Sequence, residues 1–166
     1  MAAREASDAT RMDLRGDREI VIARTFNGPA RIVFDAWTRP ELVRRWWAPR
    51  SHHVSVASCE ADVRPGGAYR YVLRKDGSDE DIAFSGRYQE VTPFSRLVYT
   101  SIFEMFPDAP VLVTVTFEEH DGRTRLVARE VYPSAEARAG ALASGMEHGM
   151  RETMEQLDAL LASLGR

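Results

Sequence analysis

The stretch after Pro133 constrains the fold of this chain more than any other part of the sequence. It holds no further proline, and its apolar residues recur every three or four positions: Leu142, Met146, Met150, Met154, Leu157, Leu161 and Leu164. This spacing predicts one long amphipathic helix over residues 134–164. Gly145 and Gly149 lie four residues apart on one face of it, although glycine costs about 1 kcal/mol relative to alanine inside a helix. We therefore expect something to approach the helix backbone closely at these two positions.

The composition argues against several classes of partner. The 166 residues fit one domain, with 44% hydrophobic and 28% charged residues and a net charge of −3. No basic block indicates a nucleic-acid partner, and no apolar run is long enough to predict a membrane span or a signal peptide. Cys59 is the single cysteine, so an intrachain disulfide is excluded, and no residue spacing resembles that of a metal site. We expect a cytoplasmic protein that has no cofactor and no metal.

The part of the chain before the helix predicts a sheet. Residues 1–16 are polar and unpatterned, which predicts a disordered tail before a single domain at 17–166. Runs of alternating apolar and polar residues between turn residues predict seven strands, at 19–26, 53–63, 68–73, 82–91, 97–103, 111–117 and 124–132. Two short helices, 30–38 and 41–47, follow the first strand. Short connections favour an antiparallel order, and the long helix must cover one face of the sheet, so the predicted class is α+β.

Five local patterns carry a resemblance to a known family. They are Phe34–Leu42, Arg45–Pro49, Asp62–Gly67, Gly86–Val91 together with Arg96–Tyr99, and Gly145–Met150. With these patterns the chain resembles the SRPBCC superfamily, which includes START and Bet v 1 proteins, and within it the activator of Hsp90 ATPase homologue 1-like family. The resemblance implies a helix-grip fold, in which the sheet wraps around the C-terminal helix and leaves a cavity between them. One position departs from the family pattern, because Met150 stands where tryptophan is usual.

The candidate site consists of residues expected to face that cavity. Aromatic side chains on the strands and methionines on the helix suit an irregular apolar pocket, although plain core packing is an alternative explanation for them. The candidates are Trp47, Tyr69, Tyr71, Phe84, Tyr99, Phe103, Val113, Glu130, Met146, Met150 and Met154. Trp46 and Trp47 point about 100° apart on a helix, so one is expected to anchor the short helices and the other to lie at the cavity mouth.

Glu130 is the polar member of this set. It shares the face of Leu126 and Ala128 in the last strand, so it points toward the helix if they do. A buried carboxylate must be paired or protonated, and there it could act as a base or hold the polar end of a ligand. The alternative, which the sequence favours, is that Glu130 meets solvent or an arginine such as Arg70 at the end of the strand.

The histidines give weaker signals. His52 and His53 are expected to begin a strand and to point to opposite faces, more often at a solvated rim than in a cavity. His148 falls off the apolar stripe of the helix. None of the four histidines, which include His120, is assigned a catalytic role.

Three functions remain open at this point. The favoured one is a non-catalytic protein that binds a small apolar or amphipathic molecule, since the sequence offers no nucleophile with an adjacent base. The second is a cyclase- or hydrolase-like enzyme that uses Glu130 or a histidine at the edge of the cavity. The third is a chaperone-associated interaction module. We expect no nucleic acid and no membrane as partner, and a homodimer remains an open alternative.

Overall fold

Eight antiparallel strands form one sheet in the computed structural model, which describes residues 9–164. The strands are β1 (Arg11–Arg15), β2 (Glu19–Asn27), β3 (Val54–Ala61), β4 (Ala68–Lys75), β5 (Asp81–Thr92), β6 (Arg96–Phe103), β7 (Val111–His120) and β8 (Arg123–Val131). Their spatial order is β1-β2-β8-β7-β6-β5-β4-β3. From β3 to β8 the chain runs as a meander of neighbouring strands, and β2 returns to pair with β8.

The helices lie at two places in the chain. Between β2 and β3 come α1 (Ala30–Thr38), α2 (Pro40–Val43) and a short 3-10 helix, Arg50–His52. After β8 come α3 (Ala135–Ala143) and α4 (Met146–Leu164). The second short helix was expected over 41–47 but ends at Val43, and turns follow it. No helix within residues 9–164 is long and apolar enough to cross a membrane.

The prediction of seven strands is wrong, because β1 lies in the part of the chain that was expected to be disordered. β1 pairs with β2 from Arg11 opposite Ala23 to Arg15 opposite Glu19. All of its side chains except Met12 are exposed, so the strand lacks the alternation that would have shown it in the sequence. The expected tail therefore fails for Arg11–Arg15, while residues 1–8 lie outside the described part of the chain.

The prediction of one continuous helix over 134–164 is also wrong. Gly145 has a φ of +82°, the left-handed conformation that glycine adopts at little cost and that ends a helix. It separates α3, which has no buried residue, from α4, which buries Met154, Leu157, Leu160 and Leu161. Ser144 caps the end of α3, and its hydroxyl donates to the Ala141 carbonyl at 2.6 Å.

The core lies between α4, α1 and one face of the sheet. Fully buried side chains from several strands and from α4 meet there, among them Ile20, Phe26, Leu97, Leu126 and Leu157. Burial of each such side chain stabilises the fold by about 1.5–3 kcal/mol. The large antiparallel sheet packed on a C-terminal helix has the helix-grip architecture that the resemblance implied.

Candidate functional site

A cavity of about 520 Å³ lies between the sheet and the first half of α4. Its wall contains all eleven residues that the sequence nominated: Trp47, Tyr69, Tyr71, Phe84, Tyr99, Phe103, Val113, Glu130, Met146, Met150 and Met154. Strands β4 to β8 supply most of them, and α4 supplies the three methionines. The structure therefore brings the whole nominated set together around one space.

Strand alternation and register explain why these residues meet. Glu130 on β8 pairs with Val113 on β7, Val113 pairs with Tyr99 on β6, and Tyr99 pairs with Tyr88 on β5. Because paired residues point to the same face of a sheet, this row crosses four strands on the cavity side.

Tyr69 stands at the centre of a tyrosine cluster in the wall. Its ring centroid lies 5.1 Å from that of Tyr71 and 5.6 Å from those of Tyr88 and Tyr99. Its hydroxyl donates to the Thr100 carbonyl oxygen at 2.8 Å, a reach that passes over Gly86. A Cβ atom at Gly86 would overlap that carbonyl oxygen and lie 2.9 Å from the Tyr69 ring. The sequence pattern Gly86–Val91 therefore needs glycine at its first position.

Burial moves the pKa of all four tyrosines of this cluster further above neutral pH, where the phenol is already protonated. It is the largest cause of a raised pKa for each of them, and the pKa of Tyr88 rises to about 12. The wall therefore presents neutral hydroxyl groups that can donate hydrogen bonds at neutral pH.

The two adjacent tryptophans take different positions, as expected. Trp46 is buried, and its indole nitrogen donates to the Ala36 carbonyl of α1 at 2.8 Å. Trp47 packs edge-on against Tyr71 and Phe84, with ring centroids 5.1 and 4.9 Å away. Both tryptophans border the cavity, and Trp46 also fixes α1 to the segment that follows α2.

Gly149 shows which group approaches the helix backbone. A Cβ atom there would lie 3.3 Å from the His52 ring and 3.4 Å from Pro49. The 3-10 helix together with Pro49 before it, the 3-10 segment, therefore packs directly on α4. Polar contacts hold the segment in place, since the backbone amides of Arg50 and Ser51 donate to Gln156 and Glu152 on α4 at 3.0 and 2.8 Å. The expected close contact is confirmed at Gly149, whereas Gly145 serves the helix break.

His52 lies at the rim of the cavity rather than in a strand. His53 has a φ of +54° and ends the 3-10 helix, so the prediction that His52 and His53 begin a strand is wrong. The His52 ring stacks on that of His148 at 5.8 Å, and both side chains are exposed. Exposed Ser144 and Gly145 also border the cavity, which places its mouth between the 3-10 segment and the α3–α4 junction.

Glu130 is held inside the protein and not at a solvated strand end. The expectation was solvent or an arginine such as Arg70, but Arg70 points to the other face of the sheet and makes a bidentate pair with Glu104 at 3.0 Å. Tyr132 instead donates its hydroxyl proton to Glu130 Oε1 at 3.1 Å. Glu130 is half-buried where it borders the cavity, and burial among protein atoms raises the pKa of its carboxyl to about 7.

Several wall residues escaped the sequence analysis. Leu73, Ile82 and Ser101 share strand parity with nominated neighbours and could have been found by extending the alternation. Trp37 and Pro49 could not, because their positions depend on contacts between α1, the 3-10 segment and α4. Within residues 9–164 no group of three histidine, cysteine or carboxylate side chains is placed to hold a metal ion.

Comparisons with known proteins agree with this geometry. A family model described as "Activator of Hsp90 ATPase homolog 1-like protein" matches residues 27–162. A solved structure from Rhodobacter sphaeroides superposes with a TM-score of 0.85 at 24% identity, over 93% of this chain and 99% of its own. A protein from Nitrosomonas europaea gives 0.80 at 25% identity over 92% and 99%, and one from Mycobacterium smegmatis 0.76 at 27% over 92% and 94%. No curated protein matches the sequence at a significant level.

Proposed function

The chain belongs to the activator of Hsp90 ATPase homolog 1-like family, and we propose that it binds one small, mainly apolar molecule in the cavity beside α4. The observation that carries the proposal is the cavity of about 520 Å³ with its wall of aromatic and methionine side chains. A space of this size lies within the ordinary range for small-molecule sites, about 300–1,000 Å³.

The wall suits an apolar guest better than a polar one. Four apolar wall residues are half-buried: Phe84, Phe103, Met146 and Met150. Part of each apolar surface therefore faces the cavity and would gain contacts from a guest. Methionine adapts to irregular apolar shapes, which favours a pocket that accepts related molecules. The alternative of plain core packing leaves this volume unexplained, because protein interiors are normally close-packed.

A neutral fluorescent probe tests the proposal. N-phenyl-1-naphthylamine brightens in apolar surroundings, and we expect it to bind the wild-type protein with one site. Met150→Trp places a bulkier ring in the wall and should weaken this binding about tenfold or more while the fold is kept. Met105→Trp is the matched control, because Met105 is 61% exposed outside the cavity wall and the same substitution there should change nothing.

Two outcomes would contradict the proposal. One is the absence of saturable probe binding to the wild-type protein. The other is equal probe affinity of the two tryptophan variants at unchanged stability, which would show that the probe binds elsewhere.

The alternative of a cyclase- or hydrolase-like enzyme is favoured by one observation. The pKa of Glu130 is raised to about 7 by burial, and a carboxyl with such a pKa can both give and take a proton near neutral pH. Hydrolysis of p-nitrophenyl butyrate above the background rate, with an inflection near pH 7 that Glu130→Gln abolishes, would support the enzyme. A rate that Glu130→Gln leaves unchanged would exclude Glu130 as its base.

A further inference from the structure

The charges of the cavity wall are strongly asymmetric. Among the described residues that line it, Glu130 is the only carboxylic acid, and neither lysine nor arginine is present. His52 is the one basic side chain, and it lies exposed at the rim. The described part of the wall thus holds an acid inside an apolar space and no cation that would neutralise it.

The carboxyl group of Glu130 has capacity left for a ligand. Tyr132 donates to Oε1, and within residues 9–164 no group donates to Oε2. Glu130 itself lines the cavity, so its carboxyl group is within reach of a molecule bound there. An ionised carboxylate accepts several hydrogen bonds, and a buried one that is left with a single neutral donor is costly.

An aromatic cluster lies in the same cross-strand row as this carboxyl. Tyr99 lies two strands away from Glu130 in this row. Burial is the largest cause of its raised pKa, and the nearby Tyr69 and the charge of Glu130 raise it further. The rings of Tyr69 and Tyr88 surround Tyr99 at 5.6 and 5.8 Å. Aromatic faces attract cations, most strongly where water is excluded.

We propose that the molecule bound in this cavity is an amphipathic amine, whose ammonium group pairs with Glu130 beside the tyrosine cluster while its apolar body contacts Trp47, Phe84 and Met150. The inference rests on the proposed binding function and specifies its ligand class. The ammonium supplies the charge that the wall lacks and donates to the open Oε2. The body of the ligand then lies toward the mouth, where the wall is aromatic and methionine-rich.

Three probes of one shape separate this ligand class from apolar binding in general. They are 2-(1-naphthyl)ethylamine, 2-(1-naphthyl)ethanol and 1-naphthylacetate, which are cationic, neutral and anionic at pH 7. By calorimetry we expect the amine to bind at least about tenfold more tightly than the other two, the effect of one charge-assisted hydrogen bond. Glu130→Gln should remove this preference and leave the alcohol unchanged. Glu118→Gln, the same substitution at an exposed position on β7, is the matched control.

Proton release provides a second measurement on the wild-type protein. An ammonium group favours the ionised carboxyl, so amine binding at pH 7 should release a fraction of a proton, measured as a difference in binding heat between phosphate and Tris buffers. The alcohol should release none. The groups that face this carboxyl are Tyr99 and Tyr132, which stay protonated, and any release from His52 or His148 at the rim would persist in Glu130→Gln.

The possible failures are distinguishable. Equal affinities for the three probes without proton release, while N-phenyl-1-naphthylamine still binds, would overturn the amine and leave the apolar site intact. Failure of all four probes to bind would overturn both proposals. Tighter binding of the naphthylacetate would show that Glu130 binds as a neutral acid, which also overturns the amine.

Discussion

Tyr132 donates its hydroxyl proton to Glu130 at 3.1 Å, so this carboxylic acid of the cavity wall is held by a neutral side chain instead of a cation. Burial is the dominant effect on Glu130 and raises its pKa from 4.5 to about 7, against the smaller lowering by Tyr132. This direction is opposite to the usual one for a carboxylate in an ion pair, and it reverses the expected effect of pH on stability.

The free energy of unfolding should fall as the pH rises through 7. A raised pKa means that the folded state holds its proton more tightly, so the stabilisation is complete below about pH 4.5 and is lost as Glu130 ionises. We expect a loss on the order of 2 kcal/mol between pH 5 and pH 8, measured as the difference between urea unfolding of the wild type and of Glu130→Gln. A difference that stays constant over this range would show that the carboxyl is solvated.

Deletion of residues 1–16 should lower the melting temperature by several degrees. It removes the β1–β2 ladder and also Thr10, whose carbonyl accepts from Arg151 on α4 at 2.6 Å and whose hydroxyl accepts from the buried Arg24 at 3.1 Å. Each kcal/mol lost corresponds to about 2–4 °C for a protein of this size. A melting temperature within one degree of the wild type would mean that β1 contributes no stability.

Two glycines near the C-terminus should respond in opposite ways to alanine. Gly145→Ala meets no neighbouring atom within 4 Å, but its φ of +82° strains any residue with a Cβ, so we expect a loss of about 1–2 kcal/mol. Gly140→Ala has the same open space inside α3 and no such φ, so it should stabilise by up to about 1 kcal/mol. Chemical denaturation measures both, and two changes of equal sign would contradict the break between α3 and α4.

Gly86→Ala should be among the most damaging single substitutions in the sheet. The new methyl group would overlap the Thr100 carbonyl, a backbone atom that cannot move away without disturbing β6, and would press on Tyr69. We expect a loss of about 3 kcal/mol or more in the free energy of unfolding. The flanking Ser85→Ala carries no such overlap and serves as the control; similar losses in both variants would refute the close approach.

Alternation made most of the sheet and the site predictable. The strands predicted at 82–91 and 97–103 differ from β5 and β6 by one residue at most at each end. Since side chains of a strand alternate between faces, the parity that put Tyr69 and Glu130 in the wall could be read from sequence alone. The composition of the wall followed from the same rule, combined with the apolar stripe of α4.

What remained hidden depends on contacts between distant parts of the chain. The mouth of the cavity is shaped by a segment that Gln156 and Glu152 hold, about a hundred residues further along. Gly145 and Gly149 looked equivalent in the sequence, four residues apart. In the structure Gly149 permits a close contact, whereas Gly145 permits a left-handed turn. A periodic pattern shows where a glycine lies, but it cannot distinguish a close contact from a left-handed turn.

The short strand β1 also bears on how this protein behaves at high concentration. β2 carries five consecutive buried residues, from Ile20 to Arg24, and without β1 its backbone amides and carbonyls would form a free sheet edge. Such an edge readily adds a strand from another molecule. β1 covers it with five residues whose exposed side chains include Arg11, Asp13 and Arg15, and charged, short edge strands resist intermolecular pairing. The N-terminal strand is thereby a safeguard against aggregation as well as a part of the sheet.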